Sequence, residues 1–345
     1  MKLLVLRQRL SVKDSRSWKN HHRWICKDLP HFLSSTTDPQ QQLDSFLEAL
    51  LNATPKAAID HLFSTIQNNH FSVALTYLHP IAHAIFSPAS RALNHSCLPN
   101  AAPAYRYDNG CVRQDVRALN EIEADEEVTI SYIESASPLS SRQTALRRTY
   151  GFECACSRCQ LQASVHATGV PSPQHDLAKS EPSLREWVFS DHPPVLSPFA
   201  ASLLPLTNVS ITDVPKALLP FVYQDDYLPT LSSRFSDIAH SPKPKLDPAL
   251  STGLTLLAMY FIIYPGHHPL IGLHCPELAK VVWNVEVITP TEEAKCRSIA
   301  GELVDLARSI MTASLPSSGF EGEEGSSPWK DLQSLQGLLG GDIKD

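Results

Sequence analysis

The sequence predicts an α+β chain, with its strands in the middle and a helical C-terminal third. Three features carry that prediction. Residues 71–132 alternate β-type segments with turns. The stretch 249–345 repeats apolar residues at helical spacing. Between them, Cys154, Cys156 and Cys159 fall within six consecutive positions. The chain has 345 residues, about two domains by the usual size prior, 43% hydrophobic and 19% charged, with mean hydropathy -0.14. Such a chain can bury ordinary cores, which excludes wholesale disorder, collagen and coiled coil. Lys+Arg 29 against Asp+Glu 36 leaves a net charge of -7. That acidic balance argues against nucleic acid and anionic lipid as partners.

Taken in order, Met1 to Leu10 carries only the short apolar run Leu3 to Leu6, too brief for a secretory signal. Leu43, Phe46, Leu47, Leu50 and Leu51 recur at helical spacing, and a second helical stretch runs from Pro55 through Phe63. Asp108-Asn109-Gly110 is a hairpin signal between Tyr105 and Val112. After it Val112, Gln114, Val116 and Ala118 alternate as a half-buried strand should. Glu126 to Tyr132 reads as another strand, with Val128, Ile130 and Tyr132 on one face. Ser140 to Tyr150 reads as a short basic helix closed by Gly151. From about Pro171 to Pro248 the density of proline predicts a connection without long regular elements. Helices follow over Ala249 to Tyr264 and Leu270 to Asn284. A third opens on the capping box Thr289-Pro290-Thr291-Glu292 and repeats Ile299, Leu303, Leu306 and Ile310. Ser327-Pro328 starts a last helix with Leu332, Leu335 and Leu339 inward. The longest apolar run, Leu254 to Tyr264, is shorter than the roughly 20 residues that span a bilayer, so no membrane association is expected.

The eight cysteines are unevenly spread. The chain is neither short nor secreted by its N-terminus, so a disulfide framework is not expected. C-x-C-x-x-C puts three thiolates on one compact loop, and tetrahedral zinc needs a fourth ligand from elsewhere. The expectation is a reducing compartment and a zinc ion. His267, His268, His274 and Cys275 match no standard metal spacing, and the acidic run Glu121 to Glu127 reads as a solvated turn.

Three segments in this order, Asn94-His95-Ser96-Cys97-Leu98-Pro99-Asn100, Glu126 to Tyr132, and Tyr150-Gly151-Phe152-Glu153-Cys154-Ala155-Cys156-Ser157-Arg158-Cys159, closely resemble the SET domain with its cysteine-rich post-SET segment. Tyr264 to Gly272 and Ser327-Pro328-Trp329 look like the tetratricopeptide-like C-terminal helices of the SET and MYND (SMYD) family. Trp18 to Cys26 resembles the end of a MYND module, with His22 and Cys26 as its last ligand pair but without the others, so a metal-free remnant is expected there. The resemblance runs from about Trp18 onward. It implies a MYND-like remnant at 1–30, a helical insertion at 31–68, a SET core at 69–135, a post-SET zinc segment at 136–165, a proline-rich linker at 166–248 and a helical domain at 249–345.

The family implies a protein-lysine N-methyltransferase that uses S-adenosylmethionine. It makes Cys97 the fourth zinc ligand beside Cys154, Cys156 and Cys159. It also implies that Asn94 and His95 hold the methyl donor, with Asn69 as a further donor contact. Tyr132 would be catalytic, its hydroxyl beside the methyl, and Phe152 would pack on the adenine or line the lysine channel. The implied partner is a histone or another lysine-containing protein, met by a monomer in the nucleus or cytoplasm. No glycine precedes Gly110, whereas the family opens with a glycine-rich donor-binding strand. A second reading is therefore a zinc-stabilised interaction protein of the same fold with a weak or inert SET part. The glycine-poor start suggests either an N-terminally shortened version of the enzyme or a naturally short relative.

Overall fold

A computed structural model describes residues 69–74, 78, 80–84, 86, 92–108, 111–167, 177–189, 211–242, 244–285, 289–316 and 327–340. The expected MYND-like remnant and the helices between Gln40 and Phe63 lie outside the described residues. The chain divides into two compact units, one of Met1, Ser72–Ala82 and Phe86–Asp345, the other of Lys2–Phe71 and His83–Ile85.

Among the described residues the strands precede the long helices. The strands are β1 (Phe71–Ala74), β2 (Pro80–Ala84), β3 (Asn94–His95), β4 (Ala101–Asp108), β5 (Cys111–Ala118) and β6 (Thr129–Ile130), paired as three ribbons, β1-β2, β3-β6 and β4-β5. The β4-β5 hairpin pairs Asp108 with Cys111, which leaves the two-residue connection that the Asn-Gly signal predicts. The alternation along β5 misleads on one point. Val116 is 40% exposed and Ala118 is exposed too, so these two apolar positions do not face inward. The strand expected from Glu126 to Tyr132 is reduced to Thr129–Ile130, which runs parallel to β3 with Asn94 opposite Thr129 and His95 opposite Ile130.

Nine helices follow among the described residues: α1 (Leu139–Tyr150), α2 (Ser157–Ala167), α3 (Leu177–Phe189), α4 (Leu219–Val222), α5 (Tyr227–Ala239), α6 (Leu246–Ile263), α7 (Pro269–Trp283), α8 (Pro290–Ser314) and α9 (Pro328–Gly340). Gly151 ends α1 with φ 77, a conformation that glycine adopts without a Cβ penalty, and its N–H reaches the carbonyls of Leu146 and Arg147. The capping box of α8 forms as read: Thr289 Oγ1 accepts from the Glu292 N–H at 3.2 Å and Glu292 Oε2 accepts from the Thr289 N–H at 3.0 Å.

The proline-rich stretch is not a connection without regular elements. It contains α3 and α5, each 13 residues long. Proline breaks a helix only where it removes a used N–H. Pro220, Pro229 and Pro248 fall in the first turns of α4, α5 and α6, where those N–H groups have no intrahelical acceptor, whereas Pro182 lies inside α3, which continues past it.

Helix α6 is the centre of the helical layer, packing against α3, α5 and α7, while α7 lies along α8. Its 18 residues are long and apolar enough by length and composition to cross a membrane, beyond what the Leu254 to Tyr264 run suggested. However, 72% of that helix is buried within the protein, as a core helix would be. Close packing against α5 and α7 is possible because residue 253 is glycine: a Cβ there would run into Leu278 and meet Phe235 at 3.0 Å. Gly253→Ala is expected to destabilise the chain by about 1–3 kcal/mol through overpacking, measured by denaturant unfolding. An unchanged midpoint would show that Leu278 yields freely.

The strand region is bolted to this helical layer by polar contacts. Arg117 Nη1 donates to the Thr312 and Ala313 carbonyls near the end of α8, both at 3.3 Å, and the His267 N–H donates to the Leu119 carbonyl at 2.9 Å. Arg158 Nη1 donates to the Ile263 carbonyl at 2.9 Å, where the C-terminal end of α6 carries partial negative charge.

Candidate functional site

The β3-β6 pair is held by one side chain more than by a sheet. Asn100 Oδ1 accepts from the Thr129 N–H at 2.9 Å, and its Nδ2 donates to the Glu127 carbonyl and to Glu126 Oε1, both at 2.9 Å. Asn100 thus stands in for a neighbouring strand. It fixes the segment leading to Tyr132 beside the segment Asn94 to Cys97.

Two residues of that second segment then diverge. Asn94 is exposed, and its Nδ2 donates to Glu127 Oε1 at 2.6 Å. His95 turns inward: its Nδ1 accepts from the Tyr132 N–H at 3.0 Å, so Nε2 carries the ring proton, which faces Cys97 Sγ at 3.3 Å. Around His95 gather the rings of Tyr132 at 5.3 Å and Phe152 at 6.0 Å, with Tyr150 against Tyr132 at 4.8 Å. The Tyr132 hydroxyl donates to the Leu93 carbonyl at 2.5 Å. Burial, then the neighbouring Tyr150 and Glu127, raise the Tyr132 phenol above its ordinary value, so it remains a neutral hydroxyl.

The other half of the site is sulfur. The Sγ atoms of Cys97, Cys154, Cys156 and Cys159 lie within 4.8 Å of one another, with Cys97 and Cys159 at 3.5 Å. Tetrahedral zinc with bonds of about 2.3 Å needs sulfur separations of about 3.8 Å, so the donor set fits that ion. Four ligands fill the shell and leave no open position, which makes the site structural and not catalytic. Without a cation the thiols must share protons. Contact with Cys156 and then Cys159 and Cys97 drives Cys154 well down. Cys156, although its contact with Cys154 pulls the other way, is brought to about 5 by Cys159 and Cys97. Contact with Cys154 and Cys156 pushes Cys97 and Cys159 up. A divalent cation replaces those shared protons.

The loop is held from α1. Gln143 clamps the Cys154 backbone in both directions, Nε2 donating to its carbonyl at 2.7 Å and Oε1 accepting from its N–H at 2.9 Å. Arg142 donates to the sulfurs of Cys97 and Cys159. Reading the sequence missed Asn100, Arg142 and Gln143 as site residues. The only signals were the place of Asn100 in the Asn94 to Asn100 segment and the basic character of α1.

The structure therefore brings together Asn94, His95, Cys97, Tyr132, Phe152, Cys154, Cys156 and Cys159. Asn69 belongs to the other compact unit. A cavity of about 200 Å³ opens on the far side of the Tyr132 segment, lined among others by Ser131, Ile133, Glu134, Tyr264 and His268. The two histidines of that connection have structural tasks. His268 stacks on Tyr264 at 4.3 Å and caps α7, and His267 holds the Leu119 carbonyl.

Residues 9–133 match the SET domain family, so the match begins before Trp18 and ends just after Tyr132. The chain is 34% identical over 139 residues to the N-lysine methyltransferase SMYD2-B of Xenopus laevis, covering 38% of this chain and 31% of that one. It is 27% identical over 265 residues to the histone-lysine N-methyltransferase SMYD3 of Mus musculus, 75% of this chain and 55% of the relative. Against the histone-lysine N-methyltransferase ASHR1 of Arabidopsis thaliana it is 38% identical over 104 residues, 30% and 21% of the two chains. These matches span about half of the relatives' own length at most.

Proposed function

The chain is a SET-domain protein of the SMYD type, and from that premise we propose that it is an S-adenosylmethionine-dependent protein-lysine N-methyltransferase stabilised by one zinc ion. The observation that carries the proposal is the ring cluster of His95, Tyr132, Tyr150 and Phe152, joined through His95 and Cys97 Sγ to the four-sulfur group. Aromatic faces attract a cation, which suits a sulfonium. When bound, the donor would supply an electrophilic methyl group to a neutral lysine Nζ and leave as a neutral thioether, the positive charge passing to the amine.

Such an in-line displacement needs alignment more than acid or base strength. Packed around a bound lysine, the rings would favour the uncharged amine by desolvation. Tyr132, neutral and tied to the Leu93 carbonyl, places its hydroxyl and that carbonyl side by side as two oxygen contacts for the reacting centre. His95 fixes the Tyr132 backbone from one ring nitrogen and faces a zinc ligand from the other. Zinc would be held by Cys97, Cys154, Cys156 and Cys159 and would fix the loop that carries Phe152. The substrate we propose is a histone or another protein lysine. A compartment that keeps thiols reduced, nucleus or cytoplasm, suits the cluster.

Calorimetric titration with S-adenosylmethionine, together with transfer of labelled methyl groups to proteins of a cell lysate, tests this. Saturable donor binding with label on lysine is expected. No binding at millimolar donor would end the enzyme reading and leave the zinc-stabilised interaction protein.

A further inference from the structure

Helix α1 buries only two of its residues, Arg142 and Leu146, one turn apart on one face. A buried guanidinium is costly unless an anion and several acceptors meet it. Arg142 is 1% exposed, and among the described residues no carboxylate lies within ion-pairing distance of it. Its donors go elsewhere: Nε to Cys97 Sγ at 3.3 Å, Nη2 to Cys159 Sγ at 3.6 Å and to Gln162 Oε1, and Nη1 to the Ser137 carbonyl. The anion that this cation requires is therefore sulfur. Thiols are weak acceptors, and thiolates are strong ones. Cys97 Sγ also faces the proton on His95 Nε2, so two N–H groups converge on one sulfur. The other buried arginine of this region, Arg158, differs: its Nη1 donates to the Ile263 and Cys97 carbonyls.

We infer that Arg142 is the charge-balancing and positioning residue of the four-cysteine centre, and that it governs how tightly the metal is held. Four thiolates around a divalent ion would leave two excess negative charges at a largely buried site, and Arg142 would offset one of them. Its fork also ties Cys97, at the end of β3, to Cys159 on α2, two ligands 62 residues apart. Gln162 in turn holds the guanidinium. The inference rests on the reading that these cysteines bind zinc.

The test uses the full chain, purified with zinc, and follows metal transfer to a chromogenic chelator at fixed pH. A parallel sample carries cobalt, whose sulfur-to-metal charge-transfer band reports the electron density on the thiolates. Arg142→Met is expected to weaken zinc binding about 10–100-fold, the usual effect of losing an outer partner of a metal ligand, and to shift the cobalt band. Arg142→Lys keeps the charge but not the fork and is expected to fall between. Arg147→Met, on the exposed face of the same helix, should match the parent. Arg142→Met with parental zinc affinity and an unshifted cobalt band overturns the inference. Should Arg142→Met fail to fold, Arg142→Lys and Gln162→Met decide: several-fold weaker zinc binding in either supports it, and parental affinity in both overturns it. A parent chain that takes up neither zinc nor cobalt removes the metal reading itself, seen before any variant is made. Each of these readouts is independent of methyl transfer.

Discussion

Tyr132→Phe is expected to lower the methyl-transfer rate about a hundredfold, the scale on which misplaced reacting groups lose rate, while donor affinity and fold stay near those of the parent. Ring and hydroxyl contribute separately. Phenylalanine keeps the ring packed against His95 and Tyr150, so the surface proposed to face a sulfonium survives. What disappears is the hydroxyl bonded to the Leu93 carbonyl at 2.5 Å, and with it one oxygen contact at the reacting centre and the restraint on another. Losing a neutral hydrogen bond costs about 0.5–1.5 kcal/mol of stability, too little to unfold a domain. Turnover measured at saturating donor, beside a calorimetric donor titration and a thermal melt, separates the effects. If donor binding falls in step with turnover, Tyr132 is a binding-wall residue and not the group that aligns the transfer.

Local signals were readable in the sequence where one residue settles the matter. Gly151 in the left-handed position and the Thr289/Glu292 capping box set helix ends without help from the rest of the chain. The cysteine spacing identified three sulfurs that converge, and the family motif supplied Cys97. The sequence was misleading where a side chain replaces backbone pairing. The alternation from Glu126 to Tyr132 is real, yet only Thr129–Ile130 is strand, because Asn100 takes the Glu127 carbonyl and the Thr129 N–H that a neighbouring strand would otherwise use. Proline density hid α3 and α5: Pro229 sits in the first turn of α5, where it costs a helix little, and α3 forms despite carrying Pro182 inside it. Arg142 was illegible for a different reason: a basic residue on a short basic helix reads as solvated, and only the fold shows that it faces buried sulfur. The Asn100 and Arg142 misreadings concern polar groups whose partners lie far away in the chain.

The four cysteines are not equivalent, and Cys97→Ser is expected to be the most damaging single change in the strand region. Cys97 is fully buried, whereas Cys156 is half-exposed. Serine at 97 removes a thiolate ligand and leaves three sulfurs that cannot complete a tetrahedral site. It also leaves Arg142 without its nearest anion. Removing one partner of a buried charge costs about 3–5 kcal/mol, to which the lost metal free energy adds. Because the chain from β3 to α2 is organised around those sulfurs, the prediction is loss of the bound zinc and a melt in which this region unfolds below the helical layer. That layer has its own core, running through α6, α7 and α8, and should unfold near the parental temperature. Cys156→Ser also breaks the four-sulfur shell, but its half-exposed position lets water replace the missing ligand and leaves Arg142 its two sulfurs. It should release zinc with a smaller loss of stability. Metal analysis and calorimetry on the pair decide the point. Parental zinc content in Cys97→Ser would remove that residue from the centre, and equal melting losses in the two variants would show that ligand number, not the buried charge beside Cys97, sets the stability of the region.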